Sequence, residues 1–145
     1  MKIFIVSSCI LGLECRYDGK AFADLSDKLK DCITIPVCPE QLAGFPTPRE
    51  KCEIVGRDGF DVINGKARVL TESGKDVTEL FLKGAKMTLK ICRIVKASDA
   101  ILKDLSPSCG VKSIYDGSFS GKRVKGVGVT TALFLKNGIK IRKII

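Results

Sequence analysis

The stretch Asp99 to Gly110, DAILKDLSPSCG, runs a short apolar segment straight into a crowded turn. Residues 99–103, DAILK, read as a buried strand. In LSPSCG, residues 105–110, two serines, a proline and a glycine press one thiol, Cys109, into that turn. Two earlier apolar runs end the same way. KIFIVSS, residues 2–8, reads as a first buried strand and meets Cys9. CITIPVC, residues 32–38, is β-branched and apolar, a second strand closing on Cys38.

The segments between these strands carry helix and turn signals. Asp24 to Asp31 fits a short helix. PEQLAGFPTPRE, residues 39–50, holds three of the five prolines and reads as irregular. A β-hairpin is expected around Asn64-Gly65. At Asp76, DVTE has the form of a capping box, with Glu79 three residues after the cap. Val77, Leu80, Phe81, Gly84, Ala85, Thr88, Ile91, Cys92 and Val95 then recur at helical spacing. Residues 111–126 are rich in Gly and Ser. Thr130 to Lys136 fits a last helix and IKIRKII, residues 139–145, a last strand. Buried strands alternating with helices predict an α/β fold with a largely parallel sheet. Right-handed crossovers place helices on both of its faces. No repeat or long linker divides the chain, so residues 1–145 read as one domain.

Composition narrows the chemistry. Of 145 residues, 45% are hydrophobic and 28% charged, the profile of a soluble globular protein. The 25 Lys and Arg against 16 Asp and Glu leave a net charge of +9, which favours RNA or phosphorylated ligands, or marks a solvated basic surface. Seven cysteines are too odd a number for complete internal pairing. VSSC at residues 6–9 loosely resembles a lipoprotein cleavage site, but the apolar run before it is too short for a signal-peptide core. No run approaches membrane-spanning length. A cytoplasmic protein with reduced thiols is the expectation.

In open α/β sheets, ligands bind outside the carboxyl ends of the strands. Cys9, Cys38 and Cys109 would therefore converge on one edge. With no histidine in the chain, Ser–His and Cys–His nucleophile pairs are excluded. There is also no P-loop and no dinucleotide fingerprint. Structural zinc normally takes four Cys or His ligands. Iron–sulfur clusters are held by thiolates alone, and three of them on a four-iron cluster leave one iron open. Cys15 is an alternative or fourth ligand. Reactive or packed cysteines without metal fit the spacing too. Glu40, two residues past Cys38, is either a general base or a salt-bridged loop residue. Ser106 and Ser108 either donate hydrogen bonds to a substrate or shape the turn. Arg16, Asp18 and Arg49 either orient a polar ligand or are simply solvated.

Six motifs occur here in one order: SSCILGLECRYDGK, PVCPEQLAGFPTPRE, DVINGKARV, AILKDLSPSCG, IYDGSFSG and GVGVTTALFLKNGI. By these the chain resembles, from Lys2 to Ile141, the family catalogued as domain of unknown function 523, whose characterised members are thiouracil desulfidases. The resemblance implies a Rossmann-like domain carrying a 4Fe-4S cluster held by Cys9, Cys38 and Cys109. It implies non-redox removal of sulfur from a thiolated pyrimidine, as base, nucleoside, nucleotide or thiolated RNA, giving a uracil-type product and sulfide. Glu40 and Ser108 are then the catalytic candidates, and Ser106, Arg16 and Asp18 the substrate-binding ones. Leu105, Val127 and Cys52 depart from the family pattern. Cys32, Cys52 and Cys92 are expected to serve packing. The rival reading is a non-enzymatic iron–sulfur or thiol module that binds RNA or relays sulfur.

Overall fold

The computed structural model describes residues 1–143. In chain order its elements are β1 (Ile3–Ser7), β2 (Ile33–Val37), α1 (Pro39–Leu42), β3 (Cys52–Val55), α2 (Gly59–Ile63), β4 (Arg68–Thr71), α3 (Thr78–Ile94), β5 (Asp99–Ile101), β6 (Ser113–Tyr115), β7 (Arg123–Lys125), α4 (Val129–Lys136) and β8 (Lys140–Ile141). The main sheet has the order β2-β1-β5-β8 and every pair in it is parallel. Ile5 of β1 stands opposite Ile35 on one side and Ala100 on the other. The chain steps from β1 to β2 in one direction, then returns to the far side of β1 for β5. That reversal is the switch point at which open sheets form their crevice.

The pleat sorts each strand onto two faces. Ile5, Val37 and Ala100 point to the face covered by Leu89 and Cys92 of α3 and Phe134 of α4. Phe4, Val6 and Ile101 point the other way, under Ile10 and Leu29 of the β1–β2 crossover. This crossover is a long loop with two 3-10 turns, Ser8–Ile10 and Ser26–Leu29, the second standing where the sequence predicts a helix over 24–31. Reversal of direction in the sheet is what puts one crossover on one face and the later ones on the other, because each is right-handed. A second core joins the β3–β4 hairpin, α2 and β6 to α3, through Ile54, Val62, Val69, Phe81 and Ile114. Each such fully buried side chain contributes about 1.5–3 kcal/mol through loss of apolar surface from water.

Several expectations are corrected. Asn64-Gly65 is not a hairpin turn: it ends α2, with Gly65 at φ +76°. The hairpin strands lie further out, pairing Cys52 with Thr71 and Val55 with Arg68. Asn-Gly also terminates helices, and here Asp58 caps a helix that buries Val62. The reciprocal capping box likewise forms at Asp58 and Asp61. At α3, Asp76 does accept from the Thr78 backbone and hydroxyl, but Glu79 returns no bond among the described contacts. Leu80 is exposed on α3, and Leu89 takes an inward position in its place. PEQL of the proline-rich stretch is one helical turn, with Pro39 at its first position. The Gly- and Ser-rich stretch holds the β6–β7 pair, Tyr115 opposite Arg123. Within the described part of 139–145, only Lys140–Ile141 is strand, and the end of that expected strand lies outside the described residues. No helix among the described residues is long and apolar enough to cross a membrane.

Candidate active site

One cleft of about 220 Å³ opens at the carboxyl edge of the sheet, lined among others by Cys9, Cys15, Cys38, Cys109, Glu40, Ser106 and Ser108. β1 stops at Ser7 and the 3-10 turn after it carries Cys9. β2 stops at Val37, and extended Cys38 leads into Pro39 of α1, which sets Glu40 in the first helical turn. β5 stops at Ile101, and the chain then winds through Asp104 to Cys109. Three positions far apart in sequence thus meet because three parallel strands end together.

The Cys109 turn is held from three sides. Ser106 Oγ accepts the backbone N–H groups of Ser108 and Cys109, each at 3.1 Å. Asp104 Oδ1 accepts those of Val111, Lys112 and Ser113 at 2.9–3.1 Å. The start of α4 donates to carbonyls of the turn, from Gly128 to Gly110, Val129 to Pro107 and Thr130 to Ser108. Gly128 is needed for this approach: a Cβ there would lie 2.5 Å from the Ser108 carbonyl carbon. Leu105 enters the turn at φ +71°, a left-handed conformation that a branched residue takes only under outside constraint.

Beside the thiols, two hydroxyls and a carboxylate are aligned. Ser108 Oγ donates to Glu40 Oε2 at 3.0 Å and lies 2.9 Å from Ser106 Oγ. A hydroxyl has one proton to give, so Ser106 donates to Ser108. The Cys109 sulfur is 3.7 Å from Ser108 Oγ. The other carboxylate oxygen, Oε1, accepts from Arg49 Nε at 3.0 Å. Glu40 is thus bound on both oxygens, one by a cation and one by the serine relay.

Cys15, Cys38 and Cys109 are held towards their protonated form. Burial pushes Cys109 up to about 12, against the opposing influence of the neighbouring Ser7 and Ser108 hydroxyls. Cys38 is pushed up strongly by its hydrogen bond with Cys15 and by burial. Cys15 rises to about 11, its bond with Cys38 lowering it while its bond with Cys9 and burial raise it. Crowded thiols of this kind become thiolates only when a strongly positive centre joins them. Sulfur donors with no imidazole suit iron–sulfur clusters. Among the described residues no three Cys, Asp or Glu side chains are close enough to enclose a single ion. Cys9, Cys15, Cys38 and Cys109 line a roomier cleft instead, a sulfur-rich donor set that suits a cluster better than a single ion.

A model of the family described as 2-thiouracil desulfurase matches residues 4–143. The chain belongs to this family. As a 2-thiouracil desulfurase family member it is 48% identical over 143 residues to the uncharacterized protein YbbK of Bacillus subtilis (strain 168), spanning 96% of this chain and 93% of that one. It also superposes on the solved structure of a [4Fe-4S]-dependent thiouracil desulfidase, TudS, with a TM-score of 0.82 at 38% identity, over 99% of this chain and 91% of that one.

Within this family fold the expected site residues divide. Cys9, Cys38, Cys109, Glu40, Ser106, Ser108 and Arg16 line the cleft. Asp18 does not; its carboxylate closes a turn on the Lys20 N–H and pairs with Arg16 at 3.7 Å, so it reaches a ligand only through Arg16. Cys92 is packed in the core and bonds the Ala97 carbonyl. Cys52 departs from its expected packing role, because half-buried in β3 it forms part of the cleft wall. Arg49 is not a solvated loop residue but a buried partner of Glu40. Tyr17, Lys51, Lys103, Tyr115 and Phe119 also line the cleft and escaped the sequence reading. Tyr17, Tyr115 and Phe119 lie inside the motifs SSCILGLECRYDGK and IYDGSFSG, and Lys103 ends the apolar run that leads to Cys109; Lys51 carried no signal.

Proposed function

We propose that this chain is a [4Fe-4S]-dependent desulfidase of thiolated uracils, with the cluster held by Cys9, Cys38 and Cys109. The observation that carries the reading is the meeting of three thiols, from the ends of β1, β2 and β5, with the Glu40–Ser108 pair in one cleft. When bound, the cluster supplies an open Lewis-acidic iron suited to a soft thiocarbonyl sulfur. Glu40 takes a proton from a water aimed at the ring carbon. Ser108 moves that proton towards the departing sulfur side, with Ser106 replenishing its hydrogen bond. Water adds its oxygen to the ring carbon and the C–S bond breaks. The sulfur leaves with the bonding pair as hydrosulfide carrying one water proton while the other is released to solvent, so oxygen replaces sulfur with no net electron transfer. Arg16 orients the polar edge of the substrate. Lys51 and Lys103, which also line the cleft, add positive charge that would suit a phosphorylated substrate as well as a free base or nucleoside.

The test is anaerobic purification with measurement of iron and acid-labile sulfide per chain, followed by addition of 2-thiouracil and 4-thiouracil. A cluster with release of uracil and sulfide is expected. A loaded chain that desulfurates neither compound, nor their nucleosides or nucleotides, removes the enzymatic reading and leaves a binding or relay module.

A further inference from the structure

Arg49 is the most heavily committed side chain of the cleft. Its side chain is 5% exposed. Nε donates to Glu40 Oε1 at 3.0 Å, and Nη1 donates to Thr47 Oγ1 at 3.1 Å and the Pro46 carbonyl at 3.2 Å. Nη2 donates to the Cys15 carbonyl at 2.9 Å and approaches the Cys38 sulfur at 4.0 Å. A guanidinium has five N–H donors, and here each has a partner within the protein. Nothing is left over to grip a substrate.

We infer that Arg49 is a positioning residue, whose guanidinium locks Glu40 by one oxygen so that the other faces Ser108 and the reacting water. The inference rests on the reading of Glu40 as the base. A carboxylate on an exposed helical turn swings among rotamers. Glu40 is 13% exposed and needs a counter-charge where it sits. Arg49 supplies that charge in a fixed direction. The direction is set in turn by the 46–49 segment, which is stapled to its surroundings. Thr47 Oγ1 accepts from Gln41 of α1 at 2.8 Å, and the Arg49 N–H donates to the Tyr17 carbonyl at 2.8 Å. One residue thereby ties together α1, which bears Glu40, the loop of Cys15, and Cys38 between β2 and α1. Lysine cannot replace it, since a compact ammonium lacks the planar fork that reaches four oxygen acceptors and the Cys38 sulfur in one geometry.

The experiment compares R49Q, R49K, E40Q and the R49Q/E40Q pair, all loaded with cluster anaerobically. Iron per chain and thermal midpoint are recorded beside single-turnover and steady-state rates per bound cluster. R49Q is expected to lower kcat about 100-fold and R49K about 10-fold, with KM changed less than about 2-fold, the pattern of a lost transition-state interaction. In the E40Q background, R49Q is expected to add less than about 3-fold, because residues that act as one unit do not lose independently. Wild-type rates per cluster in both R49Q and R49K would overturn the inference. So would losses that multiply in the double variant, which would make Arg49 a general prop of the fold. If R49Q does not load, R49K and R49K/E40Q run the same comparison. A fully active E40Q sinks the reading of Glu40 as base, and is read separately from the Arg49 result.

Discussion

At the residue scale, the site depends on a few polar atoms each with a defined partner. With Glu40 as the proposed base, Glu40→Gln keeps the shape and removes the proton acceptor, so it is expected to retain iron and lose at least about 100-fold in turnover, checked by uracil release per cluster. Cys15 distinguishes ligand from neighbour. Cys15→Ser is expected to keep full iron, while Cys109→Ala loses it, both measured as iron and acid-labile sulfide per chain. Equal loss in the two variants would make Cys15 a fourth ligand and close the open iron. Asp104, which anchors the Cys109 turn, offers a pH signature of its own. Partial burial works to raise its pKa, but N–H groups from Lys112, Ser113 and Val111 outweigh it and hold the carboxyl below its usual range. Its stabilising contribution is then present above about pH 4 and is lost as pH falls through the lowered folded value. Asp104→Asn is expected to destabilise by about 1–2 kcal/mol at neutral pH, with the gap to wild type closing below about pH 4 in denaturant titrations.

At the element scale, close backbone approach decides where the catalytic groups stand. Gly84 in α3 lets α1 lie against it, since a Cβ there would sit 2.2 Å from the Pro39 carbonyl oxygen. Helix propensity alone favours alanine over glycine by about 1 kcal/mol in a helix interior. Backbone does not yield as a flexible side chain does, so the clash is expected to win. Gly84→Ala should therefore lower the thermal midpoint and shift α1 with Glu40, reducing kcat more than KM. A raised midpoint would show that α1 has slack. The same logic applies where α4 meets the Cys109 turn, with Gly128 as the close contact. Short elements are held here by tertiary contacts: α1 is a single turn and has little stability of its own.

At the scale of the whole molecule, a cluster held as proposed by Cys9, Cys38 and Cys109 would cross-link the ends of β1, β2 and β5. Anything bound only to the folded chain stabilises it by mass action. Stripping the cluster with chelator under reducing conditions is expected to lower the thermal midpoint by more than about 5 °C. Hydrogen exchange should accelerate in residues 8–25 and 104–111 while α3, packed on the main core, stays protected. Unchanged exchange at both cysteine loops would mean that the fold holds its ligands in place without the metal.

Apolar runs, turn residues and the cysteines behind three strands were legible in the chain, because burial follows local periodicity and each strand announces its own end. The parallel sheet, α3, α4 and the placing of Cys9, Cys38, Cys109, Glu40, Ser106 and Ser108 around one edge follow from that reading joined to the handedness of crossovers. Asn64-Gly65 misled, since the same dipeptide ends helices and turns hairpins, and the choice fell to the burial of Val62. The partners of Arg49 and the placing of Cys52, Tyr17, Tyr115 and Phe119 on one cleft were beyond local inspection. Their roles arise from contacts between segments distant along the chain, such as Arg49 with the Cys15 carbonyl and Ser108 with Glu40. Sequence patterns report which face of an element is buried; which charged side chain is buried with which partner is settled only when loops from different strands close over the same cleft.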